Sequence, residues 1–241
     1  MVTKTLLEEY IAKLRLMKGY RDATIARKVA ALKSFFTFLV QENTIAQDPA
    51  KSLGQPRVRQ TSPEYLSEQE VSQLLERAAQ DNTPAGQRDA AVLEVLYLTG
   101  LQVSELISLN VADINLEESS VQCQSKGSKV RIVHLPPGWL DRPSIKRYLT
   151  TARPALLRRH QNISVLFVNH RGQRLTRQWV WNILKTHGQK AGVKRITPQT
   201  LRHSLAVYLL QNGSSFQGVQ EVLGHSTIYT TRAMYAGLLR T

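Results

Sequence analysis

Cysteine is almost absent from this chain of 241 residues. Cys123 stands alone, so no internal disulfide can form, and no Cys/His cluster has zinc-finger spacing. The expectation is a reduced, intracellular protein with no structural metal. Long apolar runs are lacking as well. The opening MVTKTLLEEYIAKLRLMKGY mixes charge with apolar residues too quickly for the core of a signal peptide, and no uninterrupted run reaches membrane-spanning length. A cytoplasmic chain without a membrane partner is therefore expected.

Acidic residues are scarce in one half only. Residues 1–55 hold 9 basic and 5 acidic residues, net +4; residues 56–118 hold 4 and 11, net −7; residues 119–241 hold 19 and 2, net +17, within a total of +14. Such a balance points to a polyanionic partner. A membrane surface would call for one basic amphipathic helix, whereas these charges are spread over segments of every kind. Nucleic acid fits better, and solubility alone does not require so one-sided a half.

Two amphipathic helices open the chain. Tyr10, Ile11, Leu14 and Met17 recur at helical spacing from Leu7, and Ile25, Val29, Leu32, Phe36 and Leu39 do so in a helix beginning at Asp22, its expected N-cap. Gly19 closes the first. Arg21, Arg27, Lys28 and Lys33 fall on the polar side, where a solvated face and a phosphate-contacting face are both open readings. Pro49, Gly54, Pro56 and Pro63 then interrupt the periodicity, with Arg57 and Arg59 among them, which predicts a helical domain over 1–55, a linker over 56–64 and a second domain over 65–241. Ser67 with Glu70 forms a capping box and Leu66 with Val71 a hydrophobic staple, starting a helix.

Helices are expected over 86–98, 103–109 and 176–187, around Ile145, Tyr148 and Leu149, and in two segments from Pro198 to Tyr235. Strands are expected near 112–116, 119–124 and 129–135, the last two joined at Lys126-Gly127-Ser128. The fold class is mainly α with a small antiparallel β-sheet. Trp179 and Trp181 read as core residues.

Three blocks carry a family resemblance: Thr99-Gly100-Leu101-Gln102-Val103-Ser104-Glu105-Leu106, Thr197-Pro198-Gln199-Thr200-Leu201-Arg202-His203, and Leu223-Gly224-His225 followed by Thr230-Thr231 and Tyr235. In this order they resemble the catalytic boxes of the tyrosine recombinase (phage integrase) family, of Xer-like type. Lys126, Leu166-Phe167 and Leu175-Thr176-Arg177-Gln178 also match, and Phe35-Phe36-Thr37-Phe38-Leu39 with Asp48-Pro49-Ala50 is similar to the family's N-terminal core-binding domain. The resemblance implies a two-domain clamp around double-stranded DNA, with Arg21, Arg27, Lys28, Lys33, Arg57, Arg59, Lys129, Arg131, Arg174 and Arg177 as candidate DNA contacts. It also implies assembly on DNA with further copies or a partner recombinase, and no small-molecule substrate.

It further implies a reaction in which a tyrosine hydroxyl attacks a phosphodiester, leaving a 3′-phosphotyrosyl bond and a free 5′ hydroxyl, with no metal or other cofactor. Lys126 matches the general acid, Arg202 the second arginine, His225 a phosphate-binding group and His203 a supporting histidine. Two positions depart from the pattern. Gln102 stands where the first arginine belongs, and Gln199 where a histidine or lysine acts as general base. The tyrosine pattern falls on Met234, with Tyr235 one residue later, ten after His225; Tyr229 is a rival nearer in sequence, read as a packing residue. The sequence runs six residues past Tyr235, short of the terminal helix with which many relatives dock on a neighbour.

A planar guanidinium meets the two oxygens of a charging phosphate, which an amide cannot. Losing one oxyanion donor costs roughly 10²–10³ in rate, and a transition-state arginine is worth about 10³–10⁵. Two readings follow: a DNA-binding member with cleavage impaired, and an active recombinase using Tyr235.

Overall fold

The computed structural model describes residues 2–16, 19–56, 62–124, 130–135, 144–157 and 163–239. The chain divides into two compact units, Met1–Thr61 and Ser62–Thr241. Among the described residues no helix is long and apolar enough to cross a membrane.

The first unit is built on α1 (Lys4–Leu16) and α2 (Asp22–Gln41). Leu7, Ile25, Val29 and Phe36 are buried with Ala50 and Leu53 from the segment that follows α2. Gly19 turns the chain between the helices at φ +56°. Arg21, rather than Asp22, occupies the N-cap position, in extended conformation and without a side-chain cap, so Asp22 becomes the acidic first residue of the helix.

The second unit begins with the expected capping box. Ser67 accepts from the Glu70 N–H at 3.2 Å and Glu70 accepts from the Ser67 N–H at 2.8 Å, starting α3 (Glu68–Ala79). Next come α4 (Pro84–Thr99), capped by Thr83 with Pro84 at its first position, and α5 (Val103–Ser108). Helix α4 is buried nearly all round, from Ala90 to Leu96, because α3, α9 (Pro198–Gln211) and the segment after the sheet all pack on it. The sheet itself is a three-stranded antiparallel meander of β1 (Ile114–Asn115), β2 (Ser120–Gln124) and β3 (Val130–His134). Its register pairs Val121 with Val133 and Cys123 with Arg131. Strand alternation therefore puts Arg131 on the same inner face as Val121, Cys123 and Val133, while Val130 and Ile132 face outward.

Helix α6 (Ser144–Arg147) runs through a π turn, Tyr148–Ala152, into α7 (Arg153–Leu157). Helix α8 (Arg177–Lys190) is capped by Thr176. Trp181 on α8 is 45% exposed, not a core residue: Val180, Ile183 and Leu184 take the buried face and leave it outside.

After Pro198 there are three helices where the sequence suggested two. α9 stops at Asn212-Gly213, with Gly213 at φ +86°; α10 (Phe216–Leu223) stops at Gly224, φ +67°, and α11 (Ile228–Tyr235) starts at the Thr227 cap. The three share a core of Leu205, Ala206, Leu210, Val219, Leu223 and Tyr235.

One contact fixes how α4 meets α10. Gly100 caps α4 at φ +59°, and a Cβ there would lie 2.7 Å from Leu223 Cδ2 and 3.0 Å from Leu205 Cδ2. Gly100→Ala combines a left-handed backbone penalty with overpacking, so a loss of about 2–4 kcal/mol is expected in denaturant unfolding. Gly218→Ala, inside α10 with only Ser215 Oγ within 4 Å at 3.6 Å, has room for the methyl. It should instead gain up to about 1 kcal/mol.

Candidate functional site

The second and third boxes meet the first around Arg202. Thr197 caps α9, accepting from the Thr200 N–H at 3.0 Å, with Pro198 as the first helical residue. That start places Gln199, Arg202 and His203 at i, i+3 and i+4, on one side of the helix. Gln199 is exposed and Arg202 is only 9% exposed. The Arg202 guanidinium donates to the Gly100 carbonyl through Nη1 and to the Leu223 carbonyl through Nη2 at 2.5 Å. Both acceptors lie at helix C-termini, of α4 and α10, where carbonyls have no intrahelical partner and the dipole is negative. Burial pulls the arginine's pKa down, and nearby Glu105 opposes that.

His225 follows the α10 cap directly. Its Nδ1 pairs with Thr231 Oγ1 at 2.9 Å, and its backbone N–H donates to the Gln220 carbonyl. Burial, then the charge of Arg202 close by, lowers the imidazole to about 4. His203 is lowered too, again by burial first and Arg202 second. Both rings are thus neutral at pH 7, in a pocket whose charge is carried by arginine.

Tyr235 is fully buried at the end of α11, its hydroxyl 2.6 Å from His203 Nδ1 and the two rings 5.7 Å apart, edge to face. Burial pushes the phenol up to about 12, against a smaller opposing effect of Arg202. Tyr235 is therefore protonated at neutral pH, with its hydroxyl hydrogen-bonded to His203 Nδ1. Met234 is half-buried, and Tyr229, at 74% exposed, points to solvent.

Gln102 is exposed at the N-cap of α5, its backbone N–H donating to Glu105 Oε2 at 2.8 Å. The fold thus brings together Arg202, His203, His225 and Tyr235, with Gln102 beside Glu105 at the start of α5 and Gln199 one turn before Arg202. Lys126, Lys129, Arg57 and Arg59 lie outside the described residues.

Among the candidate DNA contacts, Arg21, Arg27 and Arg177 are exposed, while Lys28 sits over the Tyr20 ring at 5.4 Å and Lys33 is half-buried. Arg174 is exposed but bonded to the Ile107 carbonyl and to Asn110 Oδ1. Arg131 does not face outward. It forms a two-pronged pair with Glu105, 2.7 Å and 3.0 Å, with the two side chains 13% and 6% exposed. Sequence reasoning missed this pair, although the alternation Val130-Arg131-Ile132-Val133 carried the signal. Thr231, which the third block included, is wholly buried.

Comparison with known proteins now decides the family. The Phage integrase family model matches residues 64–240. The chain belongs to the phage integrase family. It is 45% identical over 216 residues to tyrosine recombinase XerD of Oceanobacillus iheyensis, covering 89% of this chain and 71% of the relative. It is 42% identical over 216 residues to XerC of Roseiflexus castenholzii, covering 89% and 68%. Among solved structures, XerA recombinase matches at TM-score 0.63 and 29% identity over 97% of this chain and 79% of that one. XerH bound to palindromic difH substrate matches at TM-score 0.81 and 22% identity over 98% and 69%, a likeness of fold.

The neutral histidines predict a pH response. The folded pKa of His225, about 4, lies below its ordinary 6.5, so between those values the unfolded chain binds a proton that the folded one does not. Stability is therefore lost as pH falls through that window. Denaturant midpoints should drop from pH 7 to pH 5, and less steeply in His225→Gln; equal drops would reject this origin.

Proposed function

We propose that this chain binds double-stranded DNA and holds one phosphodiester at the pocket of Arg202, His203 and His225, with strand cleavage suppressed. Supporting duplex DNA are the net charge of +17 over 119–241 and the likeness of fold to the Tn1549 transposon integrase, solved in complex with a circular intermediate DNA. In this reading 1–55 is the DNA-gripping arm, 56–64 its linker, and Arg21, Arg27, Lys28, Lys33, Arg57, Arg59, Lys129, Arg174 and Arg177 supply phosphate contacts. Binding so distributed survives the loss of single contacts and weakens steeply with salt.

The observation that carries suppressed cleavage is the state of the groups around Arg202. Its guanidinium is engaged by two carbonyls, and the positions beside it that resemble the family's charged or basic partners hold the amides Gln102 and Gln199. Nucleophilic attack needs a phenol that can shed its proton, yet Tyr235 is sealed from solvent with its pKa pushed up to about 12. Lys126 remains as acid for a leaving 5′ oxygen, and His225 meets a phosphate oxygen through Nε2. A second reading, slow cleavage by Tyr235, draws on the 2.6 Å bond that gives its hydroxyl a proton acceptor in His203.

The test uses a duplex selected from a randomised pool by the protein itself, nicked so that a cleaved strand cannot rejoin. Denaturing electrophoresis then reports covalent protein–DNA adduct. Wild type should stay at background, and Gln102→Arg should raise the rate of adduct formation by about 10²-fold or more over that background. A strong wild-type band that vanishes in Tyr235→Phe would establish the second reading instead.

A further inference from the structure

The pair least explained by the boxes is Arg131–Glu105. We propose that Arg131 is a positioning residue: clamped by Glu105, its guanidinium fills the space over Gly224 and so fixes the α10 cap that aims Arg202 and His225 into the pocket. This rests on the reading that Arg202 and His225 meet a DNA phosphate.

Each link is local and geometric. Glu105 accepts from Arg131 Nη1 through Oε1 and from Nη2 through Oε2, while Oε2 also accepts from the Gln102 N–H, so one carboxylate joins β3 to the start of α5. The other side of the same guanidinium lies against Gly224. A Cβ at 224 would stand 2.7 Å from Nη1, 3.0 Å from Cζ and 3.2 Å from Nε. Gly224 in turn sits between Leu223, whose carbonyl holds Arg202, and His225. Movement of Arg131 therefore reaches both phosphate-facing groups through one residue.

The chemistry requires arginine. A planar fork fills both carboxylate oxygens and presents a flat face to a glycine, whereas a lysine ammonium does neither. The pair is nearly dry, so removing one member strips the other of its charge-assisted bonds in a site largely closed to water. Arg131 is thereby withdrawn from the direct DNA contacts and acts from behind them.

The test reads His225 in the DNA-free protein by NMR of ¹⁵N-labelled histidine. The charged or titratable groups around that ring are Arg202 and His203 from α9 and Arg131 from β3. Arg131→Gln removes a positive charge and should move the His225 midpoint up by on the order of half a unit. Glu105→Gln removes the negative charge while Arg131 keeps its own, and should move it down. Opposite signs show that the pair's charges act at the ring, while displaced His225 resonances in Arg131→Lys, which keeps the charge, report positioning. His170 and His187 serve as internal reporters and should not move. If Arg131→Gln fails to fold, Glu105→Gln and Arg131→Lys decide it, the latter expected to displace the His225 resonances despite keeping the charge. An unmoved His225 in a folded variant, or shifts of one sign in both, overturns the proposal. Duplex affinity, measured in parallel, should fall about tenfold in Arg131→Gln. Wild type that binds no duplex counts against the DNA reading, while the His225 shifts still judge Arg131.

Discussion

The site is organised by one constraint: a buried guanidinium must have its donors met. Arg202 meets it with the carbonyls of Gly100 and Leu223, the free ends of α4 and α10. Everything around depends on those two helix ends arriving together. Gly100 permits the approach because it carries no Cβ toward Leu223, and Gly224 permits Arg131 to close over the same corner. The arginine then serves packing and electrostatics at once. Burial, reinforced by its charge, keeps His203 and His225 neutral, and the same charge acts on the Tyr235 phenol.

In the proposed function, that arrangement separates binding from bond breaking. Phosphate affinity in the proposed role comes from a fixed arginine and many peripheral cations, none of which needs to change during a reaction. Cleavage asks for more: a second positive group where charge develops, a base, and a nucleophile free to lose its proton. At those places the chain has Gln102, Gln199 and a phenol sealed at the end of α11.

Much of the fold was legible because its signals are local. Helical periodicity announced α1, α2 and α8, the Ser67–Glu70 box announced α3, and the short alternating runs announced β2 and β3. Family membership was legible from the order of three boxes, each too short to decide alone. What was not legible depended on neighbours distant in sequence. Arg131 looked like a surface cation, and only strand register with Cys123 turns it inward toward Glu105. Trp181 looked apolar and therefore buried, yet Val180, Ile183 and Leu184 already fill that face. The break into α10 and α11 was written in Gly213 and Gly224, whose left-handed φ values end helices that the apolar pattern alone runs together.

The most direct measurement is duplex affinity as a function of salt for wild type, Arg202→Gln and Tyr235→Phe. If Arg202 anchors a phosphate while Tyr235 stays out of the contact, Arg202→Gln binds more weakly with a salt slope shallower by about one, and Tyr235→Phe binds like wild type. An Arg202→Gln protein with unchanged affinity and slope would contradict a phosphate pocket at this place.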